Sequence, residues 1–213
     1  MNRPRVLVAD DHRMVAEGFK KLLYPEFELV GIVEDGLALI EAAQKLMPDV
    51  IVADISMPRL NGLEAVAQLK KKYPRLKIVI LTMHREAAYA CRALEAGASG
   101  FVLKHAAPDE LVTAIRSALA GKTYLTPALA GEVLQEIRRD PQAAKDPVSS
   151  LTARQREVLQ LFAEGHSAKE IASLLSISAR TAEFHKYKLM ETLGLHNNTD
   201  LTHFAIKHGM VTA

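Results

Sequence analysis

Apolar residues in the first 120 positions fall in short solid runs, each closed by a polar or turn residue. Runs of that kind read as strands buried on both faces of a sheet. They occupy residues 5–9, 27–33, 50–53, 76–81 and 100–103. Between them, apolar residues recur at helical spacing. One helix carries Val15, Phe19, Leu22 and Leu23 on a single face, and others are expected at 36–46, 63–72, 85–95 and 108–120. Pro48, Pro74, Gly97 and Gly121 supply the stops. Five strands alternating with five helices predict an α/β domain, a parallel sheet covered by helices on both sides. A flavodoxin-like five-stranded order is the natural candidate by fold analogy.

The pattern then changes. A further helix is expected at 126–139, with Pro127 in its first turn. Asp140-Pro141 and Asp146-Pro147-Val148-Ser149-Ser150 punctuate a polar linker. Beyond it only helical spacing remains, in short pieces at 153–164, 168–175, 179–193 and 199–207. Gly165, Ser176-Ile177-Ser178 and Gly194 separate them. The expected plan is therefore three parts: an α/β domain at 1–122, a linker with a helix at 123–150, and an all-α four-helix domain at 151–213. The second and third helices of that domain form a helix-turn-helix pair.

Composition adds little to this picture and excludes some classes. The chain is 49% hydrophobic and 24% charged with a net charge of +2. It has no apolar run long enough to span a bilayer, and it begins on a strand-like segment without a signal-peptide pattern. Its single cysteine, Cys91, rules out an internal disulfide framework and fits a reducing cytoplasm. A cytoplasmic location is the expectation.

The chemistry gathers at strand ends. Val50-Ile51-Val52-Ala53 leads directly into Asp54, and Pro58 and Asn61-Gly62 turn the chain away. The first strand ends in Asp10-Asp11, the fourth at Thr82 and the fifth at Lys104. The carboxyl ends of parallel strands are where open α/β sheets place their sites. Clustered carboxylates repel one another unless a cation sits among them, and hard oxygen ligands suit Mg2+. A carboxylate can accept a phosphoryl group, whose oxygens a hydroxyl and an ammonium would then bind. Taken singly, Asp10-Asp11 could cap a helix, Thr82 could be a plain strand end, and Lys104 a solvated loop charge. Their coincidence on one sheet edge favours a site.

Asp10-Asp11, Asp54 with Met57-Pro58, Thr82 and Lys104 resemble the residue set of response-regulator receiver domains, over about residues 4–121. The resemblance implies that a sensor histidine kinase or a small phosphodonor phosphorylates Asp54. It further implies that Asp10, Asp11, Asp54 and the backbone carbonyl of Ser56 serve Mg2+, and that Thr82 and Lys104 hold the phosphoryl group. Phe101 falls where the family carries a switch aromatic, often tyrosine; without a hydroxyl it would act through ring packing. His105 replaces a common proline.

The third helix of the second domain reads by its faces. Ala182, Leu189 and Leu193 point inward, with His185 at the edge of the stripe. Glu183, Phe184, Tyr187 and Lys188 lie opposite. A thymine methyl would suit Phe184, and a cytosine amino group would suit Glu183. Thr181, His185, Lys186, Lys188 and, on the preceding helix, Lys169 would reach phosphates. Residues 151–213 carry seven Lys+Arg against six Asp+Glu, so charge alone leaves a protein-interaction module equally open. The motif decides. Residues 151–159, Lys169-Glu170-Ile171-Ala172, Leu175-Ser176-Ile177-Ser178 and Thr181-Ala182-Glu183-Phe184-His185 resemble the LuxR-type helix-turn-helix. Together with the receiver set they point to the NarL/FixJ subfamily, with Ala168, Ala182 and Asn197-Asn198 as local departures.

The expectation is a two-component response regulator. Phosphorylation of Asp54 would control sequence-specific binding to double-stranded DNA and hence transcription, with a homodimer forming on phosphorylation. Apart from phosphorylation and dephosphorylation at Asp54, it is not expected to be an enzyme. A phosphohydrolase of the haloacid dehalogenase type would need a second aspartate where Ser56 stands. The stronger rival is a DNA-binding regulator with a vestigial, phosphorylation-independent receiver.

Overall fold

The computed structural model describes residues 3–12, 18–19, 21–106, 108–138 and 147–211. The expected features at Val15, Asp140-Pro141 and Asp146 lie outside the described residues. The described chain forms two compact units, the first holding residues 61–138 with the strands before them, the second holding residues 147–211.

The first unit is a parallel sheet. Its strands are β1 Arg5–Ala9, β2 Glu28–Val33, β3 Val50–Ala53, β4 Lys77–Thr82, β5 Gly100–Leu103 and β6 Tyr124–Leu125, in the order β2-β1-β3-β4-β5-β6. The first five follow the flavodoxin-like order. The sixth corrects the five-stranded expectation: two residues are too short to show a strand pattern, yet Tyr124 and Leu125 pair in register with Gly100 and Phe101. The helices are α1, described over residues 18–19 and 21–23, then α2 Gly36–Leu46, α3 Gly62–Lys72, α4 Ala87–Glu95, α5 Pro108–Leu119 and α6 Pro127–Arg138. β3 is buried along its whole length, as are the inner residues of β1, β4 and β5, because helices cover both faces. That burial explains why these strands read as solid apolar runs rather than alternations.

Local chemistry sets the helix ends. The side chains of Asp35 and Asn61 cap α2 and α3 by accepting from the Ala38 and Glu64 amides. The chain leaves α2 through Met47 in a left-handed conformation, φ 46°, one residue before Pro48. Helix α6 packs on α4, and its Leu129 and Val133 are buried.

The second unit is all-helical: a 3-10 turn at Pro147–Ser150, then α7 Ala153–Ala163, α8 Ala168–Leu175, α9 Ala179–Leu193 and α10 Asn198–Lys207. Val158, Leu159, Leu161, Ile171, Ala182, Leu189, Leu201 and Ala205 form its core. Among the described residues no helix is long and apolar enough to cross a membrane.

Candidate functional site

The four strand-end positions converge as the sequence suggested. β1, β3, β4 and β5 lie side by side and parallel, so Asp10, Asp54, Thr82 and Lys104 emerge at one sheet edge. Asp10, Asp54 and Thr82 are almost wholly buried. Lys104 Nζ bridges the two carboxylates, 2.7 Å from Asp54 Oδ2 and 2.7 Å from Asp10 Oδ2. Burial pushes the Asp54 carboxyl above its ordinary range; the Lys104 ammonium opposes that shift, and the Asp10 charge adds to it. Burial pulls the Lys104 ammonium down, but Asp54 and Asp10 together hold it above its ordinary value. The pocket is thus a charge-compensated carboxylate pair on a short leash, not a set of solvated loop charges. Asp11 and His12 stand at the exposed rim, His12 Nδ1 lying 2.8 Å from Asp11 Oδ1.

The loop after β3 is held from two sides. The Ser56 amide faces Asp54 Oδ1 at 3.4 Å, and Ser56 Oγ is 2.9 Å from His84 Nε2. The His84 amide in turn donates to Thr82 Oγ1 at 3.2 Å, and its ring stacks on Tyr89 of α4 at 4.4 Å. His84 therefore ties the β3 and β4 loops together. From beneath, Gly62 approaches so closely that a Cβ there would sit 1.9 Å from the Asp54 carbonyl oxygen. In sequence Gly62 reads only as a turn residue, and His84 carries no signal, since its role depends on two loops meeting. Phe101 lies fully buried on β5, paired with Ile80 on one side and Leu125 on the other.

A divalent cation fits the donor set. One ligand atom each from Asp10, Asp11, His12 and Asp54 lie within 4.8 Å of one another. Three of the four are carboxylate oxygens, the donors that suit Mg2+.

The second unit presents the expected pair of helices. Ser167 caps α8 in a capping box with Glu170, and Ser178 caps α9 by accepting from the Thr181 amide. The turn between them passes through Ser176 at φ 53°. Arg154 of α7 braces that turn, donating from Nη2 to the Leu175 carbonyl at 2.7 Å. On α9, Ala182 and Leu189 are fully buried and Leu193 and His185 are half-buried. Glu183, Phe184, Tyr187 and Lys188 are exposed, Phe184 by 63% and Tyr187 by 73%. The candidate phosphate-reaching residues divide. Lys169 is exposed. Thr181 Oγ1 is 2.8 Å from Ser178 Oγ within the cap. Lys186 Nζ sits 4.5 Å above the Phe162 ring of α7, and Lys188 pairs with Glu191 at 2.7 Å. Arg180, which no sequence pattern marks, is also exposed in the first turn of α9.

Residues 6–116 match the response regulator receiver domain family, and residues 149–205 match the luxR family of bacterial regulatory proteins. The chain is a response regulator of the NarL/FixJ subfamily. Similar regulators share its full length. The transcriptional regulatory protein DegU of Brevibacillus brevis is 34% identical over 99% of this chain and 96% of its own. The oxygen regulatory protein NreC of Staphylococcus carnosus is 36% identical over 95% and 97%. Among solved structures, Salmonella RcsB bound to a promoter with a phosphomimetic beryllofluoride is 32% identical at TM-score 0.64, covering 95% of this chain and 98% of that one. A second RcsB structure, with two dimers on two parallel DNAs, is 33% identical at TM-score 0.59 over 95% and 98%. This response regulator is accordingly a phosphorylation-controlled transcription regulator rather than a conventional enzyme. Its family works with histidine kinases and DNA, and its receiver domains bind Mg2+ at the acidic pocket.

Proposed function

We propose that Asp54 is the phosphoryl acceptor of this regulator and that its phosphorylation controls DNA binding through α9. The observation that carries the reading is the buried Asp54 carboxylate at the end of β3, held 2.7 Å from Lys104 Nζ and sharing that ammonium with Asp10. A carboxylate so placed is oriented for attack on phosphorus, and the Lys104 ammonium offsets part of what burial costs its ionised form. An Asp54 oxygen forms the new P–O bond as the P–N bond of a kinase phosphohistidine breaks, and the imidazole leaves. Lys104 then turns to a phosphoryl oxygen, and the Thr82 hydroxyl donates to another. Asp10, Asp11, Asp54 and the Ser56 carbonyl would hold Mg2+, which when bound offsets the negative charge gathered at the site. Water attack on the acyl phosphate would release phosphate and restore Asp54.

In the second domain, α9 is the recognition helix. Glu183, Phe184 and Tyr187 face base edges, while Lys169, Thr181, His185, Lys186 and Lys188 lie near phosphates. A homodimer binds two half-sites, which compensates for a domain that is barely basic. We place the receiver at residues 1–122, the linker at 123–150 and the DNA-binding domain at 151–213, acting together in the cytoplasm. Intact mass after incubation with a small phosphodonor tests the acceptor. A Mg2+-dependent phosphoryl adduct on wild type, absent in Asp54→Asn, is expected. An adduct retained in Asp54→Asn would refute the assignment.

A further inference from the structure

Residues 124–126 run along the free edge of β5 almost from end to end. The Tyr124 amide donates to the Ser99 carbonyl at 3.1 Å, and the Thr126 amide to the Phe101 carbonyl at 3.0 Å. The Leu103 amide donates back to Thr126 Oγ1 at 3.2 Å. The Thr126 hydroxyl itself donates to Glu110 Oε2 of α5 at 3.1 Å, and Tyr124 Oη reaches the same oxygen at 3.4 Å. Thr126 is only 3% exposed, so its hydroxyl is satisfied by these two partners and not by bulk water. At the next residue α6 begins; it packs on α4, with Leu129 and Val133 buried. The linker therefore covers the β5 edge and the α4 face with the chain's own residues.

The inner side of the same strand end belongs to the Asp54 pocket. Leu103 immediately precedes Lys104, whose amide donates to the Thr82 carbonyl at 2.8 Å and whose Nζ grips Asp54. Two consecutive residues thus face the pocket on one side and the linker on the other. At the β5 edge this attachment rests on individual hydrogen bonds of residues 124–126 rather than on a buried strand, and net contributions of single hydrogen bonds are modest. A small displacement of the Leu103-Lys104 segment is enough to bias such an element between two arrangements.

Building on the reading of Asp54 as acceptor, we propose that Thr126 is the positioning residue through which the Asp54 pocket controls the linker. As Lys104 swings from Asp54 and Asp10 to the phosphoryl oxygens, Leu103 draws its amide away from Thr126 Oγ1. Residues 124–138 then detach from β5 and α4, which frees the tether of the DNA-binding domain and uncovers the sheet edge.

Hydrogen exchange on the full chain, with Mg2+ and with or without beryllofluoride, tests this directly. Peptides covering 124–138 should exchange about tenfold faster with beryllofluoride, and the increase should vanish in Asp54→Asn. Thr126→Val, which keeps the shape and removes the hydroxyl, should bring most of that increase without beryllofluoride, and Thr126→Ser should restore protection. Unchanged or slower exchange over 124–138, in a protein whose 100–106 peptides respond to beryllofluoride and whose Asp54 forms the adduct, would overturn the latch while leaving the acceptor assignment standing. Absence of any adduct would overturn both.

Discussion

The two working surfaces of this regulator are built on opposite principles. At the sheet edge, Asp10, Asp54 and Thr82 are buried and Lys104 is nearly so, and its ammonium is already bound to both carboxylates. On α9, Phe184 and Tyr187 stand out into solvent. A pocket proposed to receive one small phosphoryl group gains from preorganisation. The α9 face proposed to meet DNA keeps Glu183, Phe184 and Tyr187 in solvent, as suits a surface whose contacts a large partner completes. Mutations should therefore act differently on the two. Pocket changes disturb fold and chemistry together, whereas α9 changes cost affinity and leave the fold alone.

The largest effect should come from Gly62→Ala. Its Cβ would lie 1.9 Å from the Asp54 carbonyl oxygen, so the loop must shift. We expect about 3 kcal/mol of destabilisation from overpacking, read as a lower denaturation midpoint of the receiver, with adduct formation lost as well. A Gly62→Ala protein of normal stability would break the contrast at once. Lys104→Ala should slow adduct formation roughly 100-fold, the typical cost of one electrostatic stabiliser, measured by the rate of mass gain. Phe184→Ala should weaken DNA binding by about 1–3 kcal/mol, while leaving thermal stability within about 0.5 kcal/mol and adduct formation unchanged. Lys169→Ala should weaken binding evenly across sequences and lower the salt slope by about 1, visible in affinities measured over a salt series. The smallest effect concerns pH. Burial raises the Asp54 carboxyl above 3.8, and attack needs the ionised form. The rate of adduct formation should therefore begin to fall with acid at a higher pH than an exposed aspartate would give, and recover as pH rises.

The pocket was legible in the sequence because each of its residues closes a solid apolar run. A run long enough to be a strand also marks where the strand ends, and parallel strands bring all their ends to one edge. The faces of α9 were legible through spacing: Ala182, Leu189 and Leu193 mark the inward side, and the exposed side follows. What escaped depends on contacts between segments that sequence does not order. β6 is two residues long and exists only because β5 offers an open edge. The Ser56–His84 link needs two loops to meet. The Gly62 contact is invisible because a turn glycine and a glycine pressed on a carbonyl look the same in sequence. Among the expected phosphate contacts, Lys186 and Lys188 have intramolecular partners in Phe162 and Glu191, which helical spacing alone does not reveal.

The most direct test of the whole account is the affinity of the full chain for a selected operator duplex. It should be measured for wild type and Asp54→Asn, each with Mg2+ and with or without beryllofluoride. The account predicts that beryllofluoride tightens wild-type binding at least tenfold and leaves Asp54→Asn unchanged. Equal wild-type affinity under both conditions, with beryllofluoride demonstrably bound at the pocket, would contradict it and identify the receiver as a vestigial partner of a constitutive DNA-binding domain.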